Sequence, residues 1–206
     1  MTQAWIPYLP DVAMAAALAW GAGLRLYLVV FALGLAATQG WIVLPDHLAL
    51  LAHPVVIGAA GFMALMELFA DKLPWLDSVW DLLQTFIRIP AGAALAGAVF
   101  GDSGAAMTAA AALLGGTLTA TTHFAKAGTR AIVNTSPEPA SNVLVSSAED
   151  GAVLGGLWLA LANPLVFLVL LALFSIGAAI AIAVSWRALR RLFARRRPAP
   201  AAAGPR

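Results

Sequence analysis

Cysteine is absent from this 206-residue chain. Disulfide frameworks, thiolate metal sites and a cysteine nucleophile are excluded together. Charge is nearly as scarce: 11% of residues are charged and 62% are hydrophobic, which no soluble domain of this size tolerates. The short segments of alternating polarity that build a membrane β-barrel are missing. So are the His-Glu-x-x-His, P-loop and dinucleotide fingerprints. The N-terminus, Met1-Thr-Gln-Ala-Trp5, lacks the basic region of a cleaved signal peptide. The formal charge of +2 comes mostly from an arginine-rich C-terminal end, so it does not point to nucleic acid.

What the chain has is long apolar runs, with a mean hydropathy of +0.88. About 20 apolar residues cross the hydrocarbon core as a helix. The expected fold is therefore all-α: a polytopic integral membrane bundle of about six membrane segments plus one interfacial amphipathic helix. Residues 1–190 form the membrane domain. Residues 191–206, basic and then Pro/Ala-rich, form a disordered tail held at the cytoplasmic face by the positive-inside rule.

The most polar interior stretch is Lys126 to Asp150. Lys126, Arg130 and Asn134 recur every fourth residue, so a helix places them on one face. Asn142, Ser146, Glu149 and Asp150 do the same on the far side of Pro137-Glu138-Pro139. The prolines stop a helix between the two arms. The simplest shape is a helical hairpin whose register brings Asn134 to Asn142, Arg130 to Ser146 and Glu149, and Lys126 to Asp150. A solvated cytoplasmic loop is the plainer alternative.

Residues 12–38 are too long for one straight crossing: about 40 Å against a core of about 30 Å. They tilt or break, with Gly21 and Gly23 as the weak point and Arg25 just beyond. An arginine this deep faces the protein interior or snorkels to an interface. The second segment, 48–70, starts near His53, which reads as an interfacial or capping residue. It ends on Glu67 and Asp71, one helical turn apart. Their repulsion calls for a cation, a proton or a basic side chain between them. From Pro74 to Arg88 the pattern is amphipathic, with Asp77, Asp81 and Arg88 on one side and Trp80 as an aromatic anchor. This helix is expected to lie in the interface plane. Residues 89–100 are either a short crossing extended backward or a re-entrant half-helix. The Ala/Gly/Thr-rich 105–122 is placed at the bundle centre. The charge-free 164–186 forms a lipid-facing wall. Six crossings put both termini in the cytoplasm.

Ala22-Gly23-Leu24-Arg25 matches Ala127-Gly128-Thr129-Arg130 at three of four positions, a hint of an inverted repeat. Gly101-Asp102-Ser103-Gly104 has the letters of a serine-hydrolase motif. A nucleophilic serine needs a base within hydrogen-bond reach. His123 lies about 30 Å along the same helix, so no catalytic set is expected.

Longer motifs carry a resemblance. Glu67-Leu-Phe-Ala-Asp71-Lys72-Leu-Pro74-Trp-Leu-Asp77, Thr85-Phe-Ile-Arg88-Ile-Pro90-Ala-Gly92, Lys126-Ala-Gly-Thr-Arg130 and Ser147-Ala-Glu149-Asp150 resemble the bacterial membrane family known as domain of unknown function 4126. The resemblance implies a bacterial integral membrane protein and no activity; the bacterial inner membrane is the expected location.

The expected site joins Arg25, Glu67, Asp71, Lys126, Arg130, Asn134, Asn142, Glu149 and Asp150 near the cytoplasmic half. It would serve a small transporter or channel for an ion or small solute, without cofactor or metal. Structural ion pairs are the competing account of the same residues. A non-transporting scaffold, with the amphipathic helix and hairpin as a docking surface, is the competing function. Lipid is the one certain partner, and the small-residue helices permit a homo-oligomer without requiring one.

Overall fold

Prolines open α2 (Pro54–Ala70), α3 (Pro74–Val99) and α6 (Pro164–Arg195). At a first helical position the missing N–H costs nothing and the fixed φ suits the helix. The other long helices are α1 (Leu9–Thr38), α4 (Ala105–Val133) and α5 (Pro139–Ala162). A short 3-10 helix, Asp46–Ala52, precedes α2 and bends from it by 66°. This is a computed structural model, and it describes residues 6–71, 73–133 and 139–195. Those residues contain no strand. The all-helical expectation holds, with five helices long and apolar enough to cross a membrane, or six counting the bent pair. His53 caps α2, its Nδ1 accepting from the Val55 N–H at 3.2 Å.

The centre of the bundle is α1, not the small-residue stretch of α4. Ala13, Ala17, Leu18, Ala19, Ala22 and Val29 on α1 are all but sealed from solvent. One face of α4 is open, with Leu113 and Leu114 exposed. Small residues matter in α4 for a different reason. Gly92 of α3 lies against Thr119, Gly97 against Thr108 and Ala112, and Gly115 against Ala96. These contacts let the α3 and α4 backbones approach closely.

At Arg25 the backbone of α1 leaves the helical region, with φ −147° and ψ 71°. The chain turns back sharply there. A side chain added at Gly21 would lie 2.7 Å from Val29, eight residues on, which a straight helix would hold about 12 Å away. The contacts of the two arms agree. In the first arm, Ala15 lines one cavity with Phe100 and Met107, while Ala19 lies beside Gly115, Gly23 beside Thr122 and Leu24 beside Lys126. In the second arm, Leu28 lies near Leu65, Phe31 near Gly61 and Gly34 near Leu51. His47 then packs on Gly101, beside the Phe100 level where the first arm began. Both ends of α1 therefore reach the same end of the bundle, with Arg25 at the buried tip. The arms measure about 24 and 20 Å, each short of the roughly 30 Å core, which is the shape of a re-entrant hairpin, although α1 as a whole has the length and composition of one crossing.

This revises the topology read from hydropathy. The break falls beside the glycines expected to weaken the segment, but it reverses the chain. Leu9 and Arg195 consequently lie at opposite ends of the described bundle. The first arm of α1 and α4 run in the same direction, which removes the opposed orientation expected of the two Ala-Gly-x-Arg segments. Residues 74–88 are not a separate interfacial helix: they continue through Pro90 to Val99 as α3. Asp81, Gln84 and Arg88 are buried, facing the bundle. Phe86 on the opposite side is 77% exposed, as a lipid-facing residue would be. A polar face seen in sequence does not distinguish water from a polar protein interior. The lipid-facing wall expected of α6 is present: Leu165, Val169, Leu173, Ile176 and Ile180 are exposed, while Phe167 and Phe174 meet Trp20 edge-on at 6.2 and 6.1 Å.

Candidate functional site

The re-entrant turn delivers Arg25 into a charged cluster to which every long helix but α6 contributes. Its Nη2 lies 2.5 Å from Asp71 Oδ2 and 3.4 Å from Glu149 Oε2. Its Nη1 is 3.6 Å from Glu67 Oε1, and its Nε is 2.9 Å from Asp150 Oδ1. Nη2 also donates to Ser146 Oγ at 2.6 Å. Arg25 faces the interior and is 2% exposed. Snorkelling is excluded.

Each partner is shared. Asp71, expected to need a basic neighbour, also takes Arg130 Nη2 at 3.0 Å and the Ser146 hydroxyl at 3.1 Å. Arg130 grips Glu149 as a fork, Nε to Oε1 at 3.2 Å and Nη2 to Oε2 at 3.0 Å. Two parallel donors fix the carboxylate plane as well as its charge. Glu67 Oε1 takes Arg88 Nη2 in close contact and Lys126 Nζ at 3.4 Å. Arg88 Nη1 and Lys126 Nζ approach Asp81 Oδ1 at 3.3 and 3.8 Å.

The broken helix adds a polar group of its own. A helix that stops leaves carbonyls without intrahelical donors, and inside a membrane the protein itself must satisfy them. Lys126 Nζ donates to the freed Leu24 carbonyl at 3.0 Å. His123 stands at the edge of the cluster, its ring nitrogens 2.7 Å from Thr85 Oγ1 and 3.5 Å from Arg88 Nη1.

The hairpin register is thus right for Arg130 with Glu149. It differs for Lys126, which meets Glu149 at 3.4 Å, while Asp150 pairs with Arg25. The arms α4 and α5 are splayed, with α1 between them, and this leaves Asp150 to the intruding arginine. Asn142 is buried, yet among the described residues neither its Oδ1 nor its Nδ2 has a hydrogen-bond partner. Asn134, expected beside it, lies outside the described residues, as do Lys72, Pro137, Glu138 and the side chain of Asp77. Trp80 is half-buried on α3. Asp81 and Arg88 belong to the cluster and were not assigned to it from sequence. The i, i+7 spacing of Asp81 and Arg88 was the available signal.

Among the described residues the cluster holds four cations (Arg25, Arg88, Lys126, Arg130) and five carboxylates (Glu67, Asp71, Asp81, Glu149, Asp150). Burying such charges costs several kcal/mol per ion unless pairing is close. The pairing here is dense but incomplete. Among the described residues, Glu67 Oε2, Asp71 Oδ1 and Gln84 Oε1 are buried acceptors, and Arg88 Nε and (its ion pair aside) Arg25 Nε buried donors, without a hydrogen-bond partner. Polar atoms in that condition call for water or a ligand. No group of three His, Asp or Glu residues is placed to hold a metal ion among the described residues.

A cavity of about 530 Å³ reaches the cluster from the side. Leu28 and Phe31 of α1, Ile57 to Leu68 of α2 and Leu154 of α5 form its apolar wall, and Arg25, Glu67 and Asp150 form its polar end. At the opposite end of the bundle, the exposed His47 and Asp102 meet at 3.0 Å beside the Gly101–Ser103 turn. His123 lies far down α4 from that turn, as the helix rise required.

The family model described as Domain of unknown function (DUF4126) matches residues 12–185. The chain belongs to that family. The match reaches into all six long helices and covers every residue of the cluster. No curated protein and no solved structure matches the chain. For this DUF4126 member, function is therefore argued from the geometry of the cluster and its cavity.

Proposed function

We propose that the protein is a small transporter or channel that passes an ion or small solute through the buried cluster. The observation that carries this reading is Arg25, held at the tip of a re-entrant helix among carboxylates from α2 and α5. Broken helices whose freed ends meet charged groups inside the membrane are how transporters build solute sites. Ionisable residues at this depth are costly, and a role in moving charge accounts for them. The unpaired buried polar atoms, donors as well as acceptors, support the same reading, since water or a polar solute entering the cluster would satisfy them. The closely paired arrangement then corresponds to a closed state, in which protein cations hold the carboxylates until a solute or a helix movement replaces them.

The docking-surface alternative needs polar side chains turned toward the cytoplasm. Asp81, Arg88 and Arg130 instead point inward. We assign no reaction to the protein. For orientation we propose the bacterial inner membrane, with the basic end of α6 and the cluster end of the bundle cytoplasmic. The loops at the other end, around Asp46, Asp102 and Asn163, carry no Lys or Arg.

The test is flux into proteoliposomes for a panel of inorganic cations, protons and small anions. Wild type is compared with Asp150→Asn and Arg130→Ala, after each is shown inserted and helical. Flux that Asp150→Asn alters would support the reading. No flux for any solute with correctly inserted protein would overturn it.

A further inference from the structure

We propose that the side cavity is a binding site for an amphipathic organic cation, an alkylammonium whose tail lies along the apolar wall and whose head meets Glu67 and Asp150. The inference deepens the transport reading by naming a substrate class. It rests on that reading for its purpose, but binding itself can be measured without flux.

Three features of the cavity select this class. Its volume, about 530 Å³, lies within the roughly 300–1,000 Å³ of small-molecule sites. Its wall is apolar along most of its length: Leu28, Phe31, Ile57, Phe62, Leu65 and Leu154. A hydrated inorganic ion gains nothing from such a wall, whereas an alkyl chain does. Phe62 and Leu65 are also exposed on the outer face of α2, so the cavity opens sideways, toward lipid, where an amphiphile would already be dissolved.

The polar end sets the sign of the head group. Glu67 is 1% exposed and lines the cavity. Among the described residues its Oε1 meets three cations, Arg25, Arg88 and Lys126, and its Oε2 has no hydrogen-bond partner. Asp150 lines the cavity as well, keeps 32% of its side chain exposed and meets Arg25 at 2.9 Å. Arg25 is the one cation on the lining, and its charge is already matched by four carboxylates within 3.6 Å. Among the described residues lining the polar end, two carboxylates, Glu67 and Asp150, face one cation, Arg25, so the end favours a positive head group over an anion. An ammonium with N–H groups can also donate to Glu67 Oε2, which a quaternary head cannot.

The experiment is equilibrium binding to the full chain in phosphatidylcholine nanodiscs, with protein-free discs subtracted. The probes are decylammonium, decyl sulfate, decanol and tetramethylammonium. Decylammonium should bind saturably and displace none of the helical signal. Asp150→Asn, nearly identical in shape, should weaken it by about tenfold or more through loss of a charge-assisted contact. Gly58→Trp should abolish it. Gly58 lines the cavity, and a side chain begun there meets no atom within 4 Å, so the indole fills the cavity without a clash at its base. An unchanged unfolding midpoint for both variants confirms that the effect is local. Equal binding of decyl sulfate or decanol would reduce the cavity to a lipid crevice and overturn the proposal. So would decylammonium binding that survives Gly58→Trp, or its absence from wild type. If inorganic ions are carried while decylammonium does not bind, this proposal falls and the transport reading stands.

Discussion

Replacing Arg25 by methionine removes the one side chain that meets four carboxylates at once. Methionine keeps an unbranched apolar stem and carries no charge, so the change isolates the guanidinium. Asp71 keeps Arg130 at 3.0 Å, Glu149 keeps Arg130 and Lys126, and Glu67 keeps Arg88 and Lys126. Asp150 loses the one ion pair it makes among the described residues. Among the described residues three cations then face five carboxylates, four of them buried or nearly so. Breaking a buried pair from one side costs about 3–5 kcal/mol, because the remaining charge is left uncompensated. The effect should appear as destabilisation of that size in reversible unfolding from mixed micelles, followed by circular dichroism. Adding Asp150→Asn should restore part of the loss, since residues in one ionic network couple by about 0.5–3 kcal/mol. Arg25→Lys should fall between, because an ammonium cannot fork among several carboxylates. If Arg25→Met unfolds within about 0.5 kcal/mol of wild type, the arginine is not a structural centre of the cluster and the reasoning fails.

Other outcomes follow from particular contacts. Gly92→Val should destabilise by about 1–3 kcal/mol in the same assay, because its methyls would occupy the space of Thr119 at the α3–α4 contact. Phe167→Ala, which removes a ring 4% exposed and edge-on to Trp20, should cost about 3–5 kcal/mol. Leu173→Ala, on the lipid-facing side of α6, should change unfolding by no more than about 0.5 kcal/mol. His47→Ala, which removes an exposed pair with Asp102, should stay within about 1 kcal/mol of wild type.

The parts legible in sequence are those with a local period. Glu67 with Asp71, Lys126 with Arg130, and Ser146 with Glu149 lie one turn apart on their helices. Each set does converge in space, through Arg25 for the first and third and through Glu149 for the second. The all-helical membrane class followed from composition, and the family from its motifs. Three features had no local signal. The reversal at Arg25 lies in one residue's φ and ψ inside an unbroken apolar run, and hydropathy sums that run without regard to direction. Asp81 and Arg88 form a polar stripe that looks the same whether it faces water or four other helices. Asp150 is claimed by Arg25 instead of Lys126 because α1 enters between α4 and α5, a contact spanning more than a hundred residues of sequence. Gly21 and Gly23 marked where α1 weakens. They could not tell a kink from a turn.

The account depends on α1 turning back inside the membrane to bring Arg25 to the cluster. The absence of native cysteine makes this directly measurable with spin labels on Val12→Cys and Leu35→Cys, both at exposed positions. A straight helix would hold the two backbones about 35 Å apart, whereas a reversed one brings them below about 25 Å. Double electron–electron resonance in nanodiscs should give a distribution centred on the shorter distance. A narrow distribution near the longer one would mean that α1 crosses the membrane, and it would contradict the re-entrant helix and the site built on its tip.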